Sequence, residues 1–314
     1  MAGPGRRRAI HPRAAAFKRR RARLRLRPAG DGRKEAALRF VGLARGALGE
    51  VHMPVVTPMA RTQTIAFLSS DAKEANEALE KLASLYGNSP LDKADVIVAL
   101  GGDGLMLQTL HMTIKAPKPI YGMNRGSVGF LMNDYSEQGL PERLRVAQPS
   151  IIHPLIMRTR DIHGVDTTAR AINEVSLLRQ TYQAAKLRIE IDDQTQLEEL
   201  IADGILVSTP AGSTAYNLSA NGPILPLGVP LMALTPLSPF RPRRWRGALL
   251  RDSQRVTIEV MEADKRPVAA VADHNEIRRV VQVEVAMDKA TSLVLLHDPG
   301  YSLDERILRE QFRY

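Results

Sequence analysis

An α/β domain followed by a β-rich, sandwich-like domain is the fold that the 314-residue sequence predicts, and three observations carry it. From Met59 to about residue 150, short apolar runs alternate with stretches of helical periodicity, the pattern of a parallel sheet with covering helices. From about Ile151 the texture changes to short runs rich in β-branched residues, many alternating polar with apolar as half-buried antiparallel strands do. The third observation is the junction Gly101-Gly102-Asp103-Gly104, where an apolar run ends and a helix-like stretch begins at once.

The first half is justified element by element. Thr64 to Leu68 reads as a strand, and Asp71 to Leu85 as a helix in which Ala75, Ala78, Leu79, Leu82 and Leu85 recur at helical spacing. Asp71 and Glu74 have the spacing of a capping box, with Asp in place of Ser or Thr. Strand Val96 to Leu100, helix Leu105 to Ile114, strand Ile120 to Met123 and a short helix at Glu142 to Val146 follow.

Strands are expected in the second half at Ile156 to Arg160, Ala171 to Leu178, Lys186 to Asp192 and Ile205 to Ser208. Further runs lie at Arg255 to Met261, Pro267 to Ala272, Val280 to Met287 and Ser292 to Leu296, with Asp304 to Phe312 as a terminal helix. The expected organisation is a basic extension over residues 1–58, an α/β nucleotide-binding domain over 59–150, and a β-rich domain over 151–314 whose terminal helix packs back on the first.

Composition narrows the class. A hydrophobic fraction of 44% and a charged fraction of 25% are those of a globular protein. No apolar run approaches the roughly 18 to 20 residues that span a bilayer, so a cytoplasmic enzyme without membrane contact is the expectation. The chain has no cysteine, which excludes disulfides, thiol nucleophiles and thiolate metal sites, and its seven histidines show no HExxH spacing.

The net charge of +10 is unevenly placed. Residues 1–58 hold 15 Lys+Arg against 3 Asp+Glu, a net of +12, while the remainder holds 29 against 31, a net of −2. A segment built mostly from Arg, Ala, Gly, Pro and Leu buries too little apolar surface to offset its ordering entropy, so a mobile tail is expected. It could bind nucleic acid or a membrane electrostatically, or act as an Arg-rich targeting peptide, although it lacks serine. The preferred reading is that translation begins at Met59 or Met53.

Chemistry concentrates in three stretches. Glycines around Asp103 let backbone N–H groups approach phosphate oxygens, and the following helix turns its positive end toward an anion. A carboxylate there can hold a divalent cation or take a proton from an attacking hydroxyl; the same GGDG could instead be a tight turn with a capping Asp. No Gly-Lys dipeptide and no strand-linked GxGxxG occur, so a Walker loop and the common dinucleotide fingerprint are both excluded.

The second stretch is Asn173-Glu174, which interrupts a strand-like run and offers an amide and a carboxylate to ribose hydroxyls or an adenine edge. One solvated side chain and one at a turn is the other explanation of the pair. The third, Asp203 to Leu227, reads DGILVSTPAGSTAYNLSANGPILPL. Ser208 to Thr214 should form a loop with many free N–H and O–H donors that enters a helix near Ala215, and Tyr216 can offer a ring face to a base.

In this order the three stretches resemble the signature of the NAD kinases, and Leu234 to Trp245, LTPLSPFRPRRW, is similar to the segment that follows in bacterial members. The resemblance runs from about Thr64 to the C-terminus. GGDG alone is shared with 6-phosphofructokinases and with diacylglycerol or sphingosine kinases, whereas its combination with Asn-Glu and Ser-Thr-Ala-Tyr is specific. The resemblance implies phosphoryl transfer from ATP or polyphosphate to the 2′-hydroxyl of the adenosine ribose of NAD, with Mg²⁺ or another divalent metal, between two domains of a homodimer or homotetramer.

Carried over by position, Asp103 is the implied proton acceptor and Gly104 a nucleotide contact. Asn173 and Glu174 would hold adenosine, and Asp203 would lie near the nicotinamide-side ribose or across a subunit interface. Thr214, Ala215, Tyr216, Asn217, Leu218 and Ser219 would line the cofactor site. Leu105 and Ala211 stand where Thr, or Thr and Ser, are common, and ADHNEIR at Ala272 to Arg278 replaces a more usual Asp-Gly-Gln, with Asn275 the equivalent polar contact.

Two other readings remain open at this stage. A lipid or sugar kinase would explain GGDG but not the Asn-Glu pair beside the Ser-Thr-Ala-Tyr loop. A dinucleotide-binding sensor, with a basic tail as its only route to nucleic acid, would not need Asp103.

Overall fold

A computed structural model of the chain describes residues 63–126 and 129–312. The basic extension lies outside the described residues, as do the start sites proposed within it or at its edge.

The first sheet is built from strands β1 (Ile65–Ser69), β2 (Val96–Gly101) and β3 (Ile120–Asn124), all parallel. β2 is buried at all six positions, as a strand covered on both faces must be. Helix α1 (Lys73–Tyr86) buries Ala75, Ala78 and Leu82 against one face, while Leu85 is exposed. Helix α2 (Asp103–Thr113) leaves β2 through Gly102 and buries Met106 and Leu110. The capping box does not form: the N-cap is Ala72, and no side chain caps the helix. The helix begins at Lys73, two residues later than the periodicity suggests, so Asp71 falls outside the first turn.

After helix α3 (Leu140–Val146) come β4 (Gln148–Ile152), β5 (Leu155–Asp161), β6 (Asp166–Ala171), β7 (Glu174–Arg179) and β8 (Ala185–Ile191). β9 (Gln194–Ala202), β10 (Gly204–Ser208), a 3₁₀ turn at Ala211–Thr214 and helix α4 (Tyr216–Ser219) lead into β11 (Leu231–Leu237) and β12 (Ala248–Arg251). The chain finishes with β13 (Val256–Val260), β14 (Val268–Ala272), β15 (Asn275–Ile277), β16 (Val280–Met287), β17 (Leu293–His297) and helix α5 (Leu303–Glu310).

Two six-stranded sheets, ordered β12-β11-β10-β7-β14-β15 and β6-β5-β16-β13-β8-β9, make the sandwich-like part. Alternating residues of both, among them Val175, Leu177, Ile205, Leu187, Ile258 and Val283, meet in one apolar core.

Two strand expectations are corrected. The run Ala171 to Leu178 is two strands in different sheets, broken at Ile172 and Asn173, because Asp273 takes the backbone amides there out of the ladder. The run Ser292 to Leu296 does not join the sandwich. As β17 it pairs parallel with β3 and antiparallel with β4, which completes the first sheet in the order β1-β2-β3-β17-β4. Helix α5 follows and packs Leu303 and Ile307 into the apolar cluster that holds Met106, Leu110 and Leu131.

Candidate active site

Asp103 is the first residue of α2, and its carboxylate points back toward the loop after β3. Its Oδ2 accepts from the amide of Phe130 at 2.8 Å and its Oδ1 from the amide of Leu131 at 2.7 Å. Each oxygen keeps a second lone pair, so the group is oriented without being used up. The position a Cβ would take on Gly104 has nothing within 4 Å, and that residue is exposed. A side chain there would stand in the open space beside Asp103.

The Asn173-Glu174 turn is held by a residue one hundred positions away. Asp273, whose side chain is 0% exposed, accepts from the amides of Ile172 at 2.6 Å, Asn173 at 3.0 Å and Glu174 at 3.2 Å. His111 on α2 closes the arrangement, with Nε2 at 2.8 Å from the same carboxylate. The turn and the GGDG helix are thereby tied through one buried anion, which four donors offset.

Glu174 sits beside that anion and is itself mostly buried. Burial, followed by repulsion from Asp273, pushes its pKa up to about 7, against a smaller opposing hydrogen bond from the Tyr216 amide. Its Oε2 is buried with no hydrogen-bond partner. A buried acceptor in that state is satisfied by a ligand donor such as a hydroxyl.

The hydroxyl-rich loop departs from expectation in detail. Its hydroxyls at Ser208, Thr209 and Ser213 are not free donors for a ligand: all three side chains are buried and bond to neighbouring backbone, Thr209 Oγ1 donating to the Ile172 carbonyl at 2.8 Å. Ser208 and Thr209 tie the loop to the Asn-Glu turn while Ser213 bonds within the loop, and Gly212 is needed because any Cβ there would run into the Asn173 backbone. Asn217 is likewise spent internally, donating to Ser213 and Pro223 and accepting from Thr235. Thr214, Ala215 and Leu218 are half-buried, while Tyr216 and Ser219 are exposed.

Tyr216, Ser219 and Asp203 line a cavity of about 450 Å³, together with Leu178, Trp245 and Arg246. Asp203 pairs there with Arg179 at 2.5 Å. Asn275 is exposed on β15, two residues beyond Asp273. The two departures at Leu105 and Ala211 share a cause: both pack into the apolar cluster that also holds Ile172 and Met106, at the seam between the two halves.

Sequence reasoning missed Asp273, His111 and Arg179. The ADHNEIR segment drew notice as a departure, yet the residue that organises the turn is its aspartate, and the signal available was an Asp next to a His in a strand-ending position.

A GGDG carboxylate on an α/β half, whose helix is tied through His111 and Asp273 to an Asn-Glu turn on the antiparallel half beside a Ser-Thr-Ala-Tyr loop, fits a class: a kinase of small molecules. Two family models match the chain, the ATP-NAD kinase N-terminal domain over residues 32–144 and the ATP-NAD kinase C-terminal domain over residues 172–294. The chain belongs to the ATP-NAD kinase family.

The NAD kinase of Rhizobium meliloti strain 1021 is 59% identical over 255 residues, covering 81% of this chain and 99% of that protein. The NAD kinase of Caulobacter vibrioides is 58% identical over 255 residues, 81% and 98% of the two chains. Among solved structures, the fold matches yeast NADH kinase complexed with NADH at a TM-score of 0.68 and 21% identity, over 82% of this chain and 92% of that one. An NAD kinase from Archaeoglobus fulgidus in complex with ATP matches at 0.63 and 21%, over 79% and 97%. The lipid-kinase, sugar-kinase and sensor readings gain nothing from these matches. The N-terminal family model begins at residue 32, inside the extension set aside on composition.

Proposed function

We infer that the chain carries out its family's NAD kinase reaction with Asp103 as the proton acceptor. The 2′-hydroxyl of the adenosine ribose attacks the terminal phosphorus of ATP; its proton passes to Asp103, the new O–P bond forms, and the bond to the bridging oxygen breaks to release ADP. The observation that carries the reading is the Asp103 carboxylate, oriented by two amides and open beside Gly104. Asn173 and Glu174 hold the adenosine end, the unpartnered Oε2 of Glu174 accepting from a hydroxyl. Gly104, Thr214, Ala215 and Leu218 supply close backbone or short side-chain contacts, and Asn217 shapes the loop from within. Asp203, Tyr216 and Ser219 receive the rest of the dinucleotide in the cavity they line.

Among the described residues no three His, Cys, Asp or Glu side chains cluster as a metal site. A divalent ion, Mg²⁺ in the first instance, would arrive on the nucleotide phosphates and supply charge neutralisation there. Polyphosphate as donor, assembly as a homodimer or homotetramer and a cytoplasmic location belong to the same reading. No helix among the described residues is long and apolar enough to cross a membrane. The proposed catalytic body is residues 59–150 with 151–314.

The test is the position of the new phosphate. Incubation with NAD, ATP and Mg²⁺ should give NADP whose added phosphorus resonates as a 2′-monoester. A 3′-ester would refute the 2′-hydroxyl as the nucleophile, and a product phosphorylated on the nicotinamide ribose would refute the assignment of Asn173 and Glu174 to adenosine.

A further inference from the structure

The loop that orients Asp103 is gripped from its other side. Arg306, on α5, donates from Nη1 to the carbonyls of Gly129 at 3.1 Å and Phe130 at 2.8 Å. The Gly129 carbonyl and the Phe130 amide belong to one peptide group, and the Phe130 carbonyl and the Leu131 amide to the next. Both peptide groups thus lie between a guanidinium and the Asp103 carboxylate, donating to the anion at one end and accepting from the cation at the other. Each hydrogen bond polarises the next in such a chain.

The guanidinium is itself fixed. Its Nε donates to the Tyr301 carbonyl at 3.2 Å, and its carbon lies 5.8 Å from the Tyr301 ring centre. Ser302 and Glu305 form a capping box that sets the start of α5, and the flanking Leu303 and Ile307 are fully buried. Gly129 packs closely against the same loop, since a Cβ there would meet Met132 at 2.7 Å. Burial pulls the Arg306 pKa down, while the carboxylates of Asp103 and Asp134 act against that.

We propose that Arg306 is the positioning residue of Asp103, holding the two peptide groups that aim its carboxylate. The proposal rests on Asp103 being the proton acceptor. It makes the last helix of the chain part of the catalytic apparatus, although Arg306 does not touch the reacting atoms.

The experiment compares Arg306→Met and Arg306→Lys in the full chain, each alone and combined with Asp103→Asn, at saturating NAD, ATP and Mg²⁺. Arg306→Met should lower kcat about tenfold, with the KM values for NAD and ATP within about twofold of the parent. Arg306→Lys, which can reach one carbonyl but not grip two, should recover part of the loss. In the Asp103→Asn background neither change should lower kcat further, because the group being aimed is already gone. A merely structural role for Arg306 would subtract the same factor in both backgrounds, and that result overturns the proposal. So does a rise in both KM values at unchanged kcat. If the Met variant does not fold, the Lys variant carries the same comparison. Near-normal turnover by Asp103→Asn alone would instead remove the proton-acceptor reading, and is told apart by that single variant.

Discussion

His111 Nε2 lies 2.8 Å from the Oδ2 of Asp273, joining the GGDG helix to the turn that carries Asn173 and Glu174. Asp273 also takes three successive backbone amides of that turn. Replacing it with Asn turns one acceptor oxygen into a donor that faces N–H groups. An unsatisfied buried amide costs about 1 to 3 kcal/mol, enough to move the turn. Asp273→Asn should weaken NAD binding about tenfold by calorimetry and leave the KM for ATP within about twofold. Equal losses for both substrates would mean that the pair holds the fold and not the NAD side.

Glu174 sets a pH dependence. Its pKa of about 7 means that the carboxylate is half protonated near neutrality. A charge-assisted hydrogen bond is worth roughly 1 kcal/mol more than a neutral one, so the NAD dissociation constant should rise about fivefold as pH falls from 8 to 6. Glu174→Gln should give the weaker constant at both pH values and flatten the profile. For stability the sign is opposite: a carboxyl whose pKa is raised by folding costs nothing below 4.5 and progressively more as pH climbs to 7.

His297 acts in the other direction. Both ring nitrogens are buried without partners, and burial, then the charge of Arg306, pulls its pKa down to about 4 against a smaller pull from Asp298. Its contribution to stability is complete above 6.5 and is lost as pH falls toward 4, by about 3 kcal/mol at most. Leu has nearly the volume of the ring and nothing to protonate. His297→Leu should hold its melting temperature between pH 6.5 and 4.5 better than the parent, and a parallel fall in both proteins would place the acid-sensitive group elsewhere.

Part of this was legible along the chain and part was not. The three motifs, the α/β first half and most sandwich strands show in local periodicity and residue type, because strands β2, β8 and β13 carry their burial pattern within five to seven residues. The place of β17 is set by pairing with β3, from which it is separated by the whole sandwich, and nothing local distinguishes it from a sandwich strand. Asp273 and Arg306 were hidden for a related reason. Their partners are backbone groups of distant turns, and a backbone amide has no signature in sequence.

The basic extension should be dispensable for catalysis. Residues 1–58 carry a net +12 and none of the three motifs. A chain starting at Met59 should keep the parent's kcat and oligomeric state, and any affinity of the full chain for DNA should fall steeply with salt and vanish with the extension. Loss of turnover on truncation would put part of the catalytic body inside residues 1–58, where the N-terminal family model reaches.

The base role proposed for Asp103 can be removed while the shape of the side chain is kept. Asp103→Asn is nearly isosteric, but its carboxamide cannot accept the ribose proton, and general-base assistance is typically worth 10² to 10⁴ in rate. With NAD, ATP and Mg²⁺ saturating, NADP formation by the full chain should fall by about 10²-fold or more in Asp103→Asn, with a cooperative melt like the parent's. Turnover within a few-fold of the parent would contradict the role given to Asp103 and, with it, the mechanism.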